Sequence, residues 1–415
     1  MRRAGGGGGD FVLALYLGMR HPWAALGPWT SLTTGIPAVL DEPPGAVRTA
    51  RRLARLQGLE DGVLLPSTLH LFHDLFALLG PGASAVLVDA GAYAVARWGA
   101  ARAGCAGVPV IRFAHHDGDA LRRALGRIGR RGTPVVLCDG VCPGCGRPAP
   151  LADYAAAVRE RGGLLVVDDT QALGILGAGA DGHPPYGFGG GGSARWWGLD
   201  GPELVIGASL AKAFGAPVAA LSGSAALVRR FRALPGTRMH GSPPSVAAVR
   251  AAARALALNR ARGDALRARL ADRIGTLRRM LADAGLGTTG GGFPVQTVTG
   301  LADPAAAHAR LAAAGMRAVL RAAPGPALTL LLRADHTDDE LARAAGALAR
   351  AAGPDERSVR CGTQATTEGC GARPRATTGG ARGAAAPTPR TPATTTRPRP
   401  AARGPAARAA AGPGA

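Results

Sequence analysis

Short runs that are apolar on both faces recur between about residues 60 and 225. They are Ala85–Asp89, Val108–Phe113, Pro134–Asp139, Leu164–Asp169, Leu204–Ala208 and Val218–Leu221. Alanine- and arginine-rich stretches of helical character lie between many of them, among them Asp119–Ile128 and Ala152–Arg161. This alternation predicts an α/β fold in which helices cover a mostly parallel sheet. Ligands in such sheets sit at the carboxyl ends of strands, so Asp89, Asp139, Asp168 and Ser209 stand where chemistry is expected. A long helix is predicted over Pro244–Ala284. A smaller α/β unit follows: strand Pro294–Val298, helix Pro304–Ala314, strands Met316–Leu320 and Ala327–Leu332, and helix Asp338–Ala352. The predicted order is a flexible start (1–10), an N-terminal segment (11–60), a large domain (61–285), a small domain (286–352) and a tail (353–415).

Charge changes the picture mainly at the tail. The net charge is +21 over 415 residues, and +7 of it falls in the last 63, which carry ten arginines and no apolar periodicity. That segment reads as disordered. It lacks the interleaved aromatics of a nucleic-acid-binding arm, so no specific nucleic-acid partner is expected. Arg2 and Arg3 ahead of Phe11–Met19 resemble a signal peptide only superficially, because glycines and Asp10 interrupt the pattern. No run approaches the ~20 apolar residues of a membrane span. A soluble, cytoplasmic protein without a membrane partner is expected.

Six cysteines are present, including the pair Cys142-Pro143-Gly144-Cys145. A zinc site would need a second pair or histidines at matching spacing, which the linear sequence does not offer. Reduced thiols and no metal are the expectation.

One basic residue stands apart. Of 49 lysines and arginines, Lys212 is the only lysine. A guanidinium stays protonated, whereas a desolvated lysine amine can attack a carbonyl. Its surroundings give this weight. Leu164–Asp168 ends in an acidic pair, Asp168-Asp169, and about forty residues later Leu204–Ala208 ends at Ser209, three positions before Lys212.

Together these residues resemble the pattern of pyridoxal-phosphate enzymes of the aspartate-aminotransferase fold (fold type I, class I/II aminotransferase superfamily). Within it the resemblance is closest to the α-oxoamine synthases, the group that includes 8-amino-7-oxononanoate synthase, and it covers roughly residues 11–350. Ala14-Leu15-Tyr16-Leu17-Gly18-Met19 resembles the group's N-Y-L-G, and Arg112-Phe113-Ala114-His115-His116-Asp117 its F-x-H-N-D. Asp139-Gly140-Val141, Gly146 and Ala149-Pro150-Leu151 follow D-G-V-F-S-M-D-G-x-x-A-P-L.

The resemblance implies pyridoxal 5'-phosphate as cofactor, a homodimer, and small-molecule substrates: an amino donor and an acyl-CoA. Lys212 would form the Schiff base (aldimine) and later move a proton at the substrate α-carbon. Asp168 would face the pyridine nitrogen and keep it protonated. Asp169 is expected to support its neighbour or cap a helix. Ser209 would hold the cofactor phosphate, with Ser67, Thr68 and Leu69 at a helix start supplying further donors. Tyr93 stands where the group carries a histidine stacked on the ring. His240 and Ser242 are candidates for phosphate contact from the partner subunit.

Three departures bear on the substrate. Gln171 replaces the histidine that contacts the cofactor's phenolic oxygen, and an amide can donate there but not titrate. Thr329 falls on the position of the carboxylate-binding arginine, and Arg333 is two pleats away, roughly 13 Å along a strand. Gly187–Gly192 forms a glycine run between Asp168 and Lys212, read as either a flexible loop at the site's mouth or an inert surface loop. The resemblance implies condensation of an acyl-CoA with an amino acid in a biosynthetic pathway. Aminotransfer is the alternative, and a non-catalytic relative of the fold the third reading.

Overall fold

The computed structural model describes residues 9–129, 131–179, 185–234, 236–322 and 325–352. The tail from 353 lies outside the described residues. Helix α1 (Ala46–Gln57) and strand β1 (Asp61–Leu65) lead into α2 (Thr68–Leu79), β2 (Ala83–Asp89), α3 (Ala94–Cys105) and β3 (Val110–Phe113). Then come α4 (Gly118–Arg127), β4 (Thr133–Asp139), α5 (Leu151–Arg159) and β5 (Leu164–Asp168). After a loop and the short α6 (Ser193–Trp196), β6 (Leu204–Ser209) and β7 (Ala219–Gly223) complete a seven-stranded sheet of order β1-β7-β6-β5-β4-β2-β3. Only β7 opposes its neighbours, so the other six strands share one carboxyl edge.

Side chains alternate across the strands and fill both faces, as a sheet covered twice requires. On one face Val86, Val88, Val135, Leu137, Val166 and Val205 pack with Leu71, Phe72, Leu75 and Phe76 of α2. On the other, Leu87, Val136, Leu165, Val167 and Ile206 pack with Leu121 of α4 and Tyr154 and Val158 of α5. Helices α7 (Ala225–Ala233) and α8 (Gly236–His240) precede the 38-residue α9 (Val246–Asp283). The second sheet is antiparallel, of order β10-β11-β9-β8, from β8 (Gly287–Thr289), β9 (Val295–Thr299), β10 (Val319–Arg321) and β11 (Ala327–Leu331). It is accompanied by α10 (Pro304–Ala313) and α11 (Asp338–Ala352). Among the described residues no helix is long and apolar enough to cross a membrane.

Two local features differ from expectation. Gly9 and Asp10, assigned above to a flexible start, are held against the second sheet. The Arg317 N–H donates to Gly9 O at 3.1 Å, and the Arg333 guanidinium reaches Asp10 O. The glycine run 187–192 is neither a mobile mouth nor an inert surface loop. Asn259 Nδ2 donates to Gly189 O at 2.8 Å, the Gly192 N–H donates to Leu176 O at 2.7 Å, and Asp264 accepts from the Gly189 N–H at 2.9 Å. Gly192 has φ +92°, and a methyl group there would overlap the buried Asp169 carboxylate. Gly192→Ala is therefore expected to lower unfolding free energy by about 3 kcal/mol, read from urea denaturation. A loss within about 0.5 kcal/mol would mean that this loop tolerates side chains after all.

Candidate active site

The carboxyl edge gathers most of the residues that the sequence singles out. Asp139 pairs with Asp168 across β4 and β5, and Asp168 with Gly207 across β5 and β6. Ser209 closes β6, and the turn after it carries Lys212. Because β1 is parallel to β6, the start of α2 opens at the same edge.

Lys212 is half-buried and makes no hydrogen bond or ion pair among the described residues. Burial pulls its ammonium below the usual lysine range, and the charge of Asp168 opposes that shift. Asp168 is buried at the strand end, where burial pushes its carboxyl up while Thr170 and Lys212 pull it down. The Thr170 N–H donates to Asp168 Oδ1 at 3.1 Å, and Thr170 Oγ1 accepts from the Ser209 N–H at 3.0 Å. Thr170 thus ties the two strand ends together, a role the sequence did not reveal. Asp168 caps no helix, since residues 170–175 form turns. Its neighbour Asp169 is fully buried and accepts from Ser193 Oγ at 2.5 Å, anchoring the start of α6.

At the start of α2, Ser67 is the N-cap. Its Oγ accepts from the His70 N–H at 3.5 Å and lies 2.8 Å from His70 Nδ1. The N–H groups of Thr68 and Leu69 belong to the first turn, which has no intrahelical acceptors to offer them. Leu69 is 51 % exposed. Tyr93 is 53 % exposed, which removes the ordinary core role, and its N–H donates to Asp139 Oδ1 at 2.9 Å. Gln171 lies in the turn after β5, where its Oε1 accepts from Tyr16 Oη at 2.7 Å. Burial raises the Tyr16 phenol, so it remains a donor. With Oε1 engaged, the Gln171 NH2 is the group left to donate. His240 and Ser242 are exposed on the turn ending α8, and no hydrogen bond links them to the edge residues.

Asp139 and Asp169 give this edge a pH signature. Burial, with the Asp168 charge adding, pushes the Asp139 carboxyl up to about 8. Burial pushes Asp169 up to about 7 against the hydrogen bonds from Ser193. An unfolded carboxyl titrates near ~4, so between about pH 4 and 8 the folded state holds protons that the unfolded chain has lost. Stability from these groups is full below that window and is lost as pH rises through the folded values. The melting temperature of cofactor-free protein should fall from about pH 5 to 8, and Asp139→Asn should flatten part of the fall. Parallel slopes in calorimetry would contradict this.

Comparison with known proteins places the fold. The model of the aminotransferase class I and II family matches residues 45–348. The chain belongs to that family. The 8-amino-7-oxononanoate synthase of Geobacter metallireducens is 33% identical over 249 residues, which cover 58% of this chain and 61% of that protein. The same enzyme from Chromohalobacter salexigens is 34% identical over 247 residues, covering 57% and 60%. The chain thus spans about three-fifths of the length of these relatives. Among solved structures, Sphingomonas wittichii serine palmitoyltransferase superposes with a TM-score of 0.70 at 20% identity, over 82% of this chain and 86% of that one. A serine palmitoyltransferase from S. paucimobilis, with a bound PLP–myriocin aldimine, gives 0.70 at 18% identity, over 85% and 88%.

Within this aminotransferase-family chain, the sequence departures take structural form. Thr329 is buried on β11, with Oγ1 2.8 Å from Thr297 Oγ1 on β9. Arg333 is 5% exposed, and its guanidinium is committed to Asp335 Oδ1 at 2.9 Å and to Asp10 O. It serves as a clamp on the N-terminal segment, with Nε engaged at Asp335 and Nη1 at Asp10 O.

Proposed function

We propose that this chain is a pyridoxal-phosphate-dependent transferase of the α-oxoamine synthase kind, condensing an acyl-CoA with an amino acid in a biosynthetic pathway. The observation that carries this is the half-buried, unpaired Lys212 amine beside the buried Asp168 at the carboxyl edge of a parallel sheet. The names of the relatives, 8-amino-7-oxononanoate synthase and serine palmitoyltransferase, support the condensation branch.

The residues fit the cofactor. A desolvated lysine without a structural partner has no evident packing role, and its lowered ammonium leaves amine available to hold the cofactor covalently. The Asp168 carboxylate would hold a proton on the ring nitrogen. Ser209, Ser67 and the first-turn N–H groups of Thr68 and Leu69 would receive the phosphate. Tyr93 offers an exposed aromatic face for the ring, and Gln171 its amide N–H for the phenolic oxygen, the amide oriented by Tyr16. The cofactor, when bound, supplies an electron sink for negative charge developing at the substrate α-carbon. The Lys212 amine would then give and take the proton at that carbon.

We assign residues 61–285 to a cofactor-binding domain and 286–352 to a smaller one, in keeping with their separate sheets. The site is open in a single chain, with Leu69 and Tyr93 half exposed. A homodimer would cover it and bring His240 and Ser242 of a second copy to the phosphate. The described cysteines are all free, which fits the reducing cytoplasm.

Products distinguish the branches. Incubation with a panel of amino acids and acyl-CoA thioesters should release carbon dioxide and free thiol together. Conversion of the cofactor to its pyridoxamine form without thiol release would mark an aminotransferase instead. Neither outcome, from protein that binds the cofactor, would mark a non-catalytic member.

A further inference from the structure

The cysteine pair that the function leaves unused lies against two histidines. Cys142 and Cys145 sit in the hairpin after β4, and His115 and His116 in the turn after β3. Ligand atoms of His115, His116 and Cys145 all lie within 4.8 Å of one another. His115 Nε2 is 3.5 Å from Cys145 Sγ. Zinc bonds of about 2.3 Å to sulfur and 2.0–2.1 Å to nitrogen, at tetrahedral angles, hold the two ligand atoms about 3.5 Å apart.

The hairpin is held by its own backbone. The Gly146 N–H donates to Cys142 O at 2.8 Å, and the Cys142 N–H to Arg147 O at 3.1 Å. Gly146 takes φ +69° to close the turn, and its missing side chain admits the backbone of Gly290.

The histidines are equally constrained. Asp89, 1 % exposed, accepts from His115 Nδ1 at 2.6 Å and from the His116 N–H at 3.1 Å, and Tyr154 Oη donates to it at 3.0 Å. A buried carboxylate on one imidazole nitrogen leaves the other free to ligate, the arrangement by which protein carboxylates orient zinc-bound histidines. Gly91 is tailored to it: its N–H donates to Asp89 Oδ1 at 2.7 Å, and a methyl group there would overlap the His115 ring. His116 is the only non-glycine residue with positive φ among the described residues, at 57°. That region suits asparagine better than histidine.

Of the five residues that depart from these two α-oxoamine synthase motifs, His116, Cys142, Pro143, Gly144 and Cys145, three supply new ligand atoms. His116 replaces the asparagine of F-x-H-N-D. Cys142 and Cys145 replace the phenylalanine and aspartate of D-G-V-F-S-M-D-G. We propose that Cys142, Cys145, His115 and His116 form a zinc site that pins the β4 hairpin to the turn after β3. The histidines that the linear sequence lacked are supplied by the fold, reversing the expectation of no metal. His115, His116 and Cys145 already stand at ligand spacing, whereas Cys142 Sγ lies outside that group and would have to turn toward the ion to complete the tetrahedral set of a structural zinc.

The test uses the full chain, reduced and purified without chelator. Elemental analysis should find one zinc per chain, and cobalt(II) added after zinc removal should give a tetrahedral spectrum with thiolate-to-metal charge transfer. Cys142→Ser/Cys145→Ser should abolish that spectrum. His116→Asn restores the residue suited to this backbone, so it should keep the fold, shown by unchanged circular dichroism, while weakening cobalt binding at least about tenfold. Wild-type protein without the thiolate–cobalt spectrum would overturn the proposal. So would a spectrum unchanged in the double variant, which would place the metal on other thiols of the chain. So would a Cys142–Cys145 disulfide in the reduced preparation.

Discussion

Lys212→Ala is expected to reduce turnover by at least about 10³-fold, because on the proposed reading one side chain would both hold the cofactor and move the substrate proton. Lys212→Arg should be nearly as damaging, since a guanidinium can do neither at neutral pH. The fold should survive both changes. Lys212 has no hydrogen bond or ion pair to lose among the described residues, and removing a charge that burial disfavours relieves a cost. The expected pattern is lost activity with a melting temperature at or slightly above wild type. Equal loss of activity and stability would mean instead that Lys212 is a structural residue.

The second large effect is at Asp168. Asp168→Asn keeps the shape, and an amide oxygen can still accept from the Thr170 N–H now 3.1 Å from Oδ1. What it loses is the negative charge. On the proposed reading Asp168 would keep the cofactor's ring nitrogen protonated, and without that charge the bound cofactor would supply a poorer electron sink. Turnover should fall roughly 10²–10³-fold, a change of about 3–4 kcal/mol in the barrier, while cofactor is still taken up. The charge beside Lys212 also disappears, so its ammonium should titrate at lower pH than in wild type. Asp168→Asn with activity within a few fold of wild type would remove this residue from the chemistry.

The large sheet was legible where strands are buried on both faces, since β2, β4, β5 and β6 each hold a run of at least four consecutive apolar residues. Strand β1 was not. Its five residues open with Asp61-Gly62, which reads as a turn, and its strand character comes from pairing with β7. The reversed direction of β7 was equally hidden, because a buried strand looks the same run either way.

The site divides along the same line. Lys212 and Asp168 stood out in the sequence because their chemistry is rare at those places, and the fold puts both at the carboxyl edge. The partners that orient the site come from far along the chain. Tyr16 meets Gln171 across 155 positions, and His115 meets Cys145 across 30. Spacing rules describe neighbours in sequence, and only the strand order brings these groups together. The proposed zinc site shows the same limit: histidines were sought at matching spacing in sequence, and the fold brings His115 and His116 to Cys145 instead.

The central claim is that Lys212 carries pyridoxal phosphate. The most direct measurement is borohydride reduction of the reconstituted full chain, followed by peptide mapping. The account predicts a visible absorption band that bleaches on reduction and one stable adduct, on the peptide containing Lys212, with neither present in Lys212→Ala. An undiminished band in Lys212→Ala, or an adduct confined to the amino terminus, would contradict it.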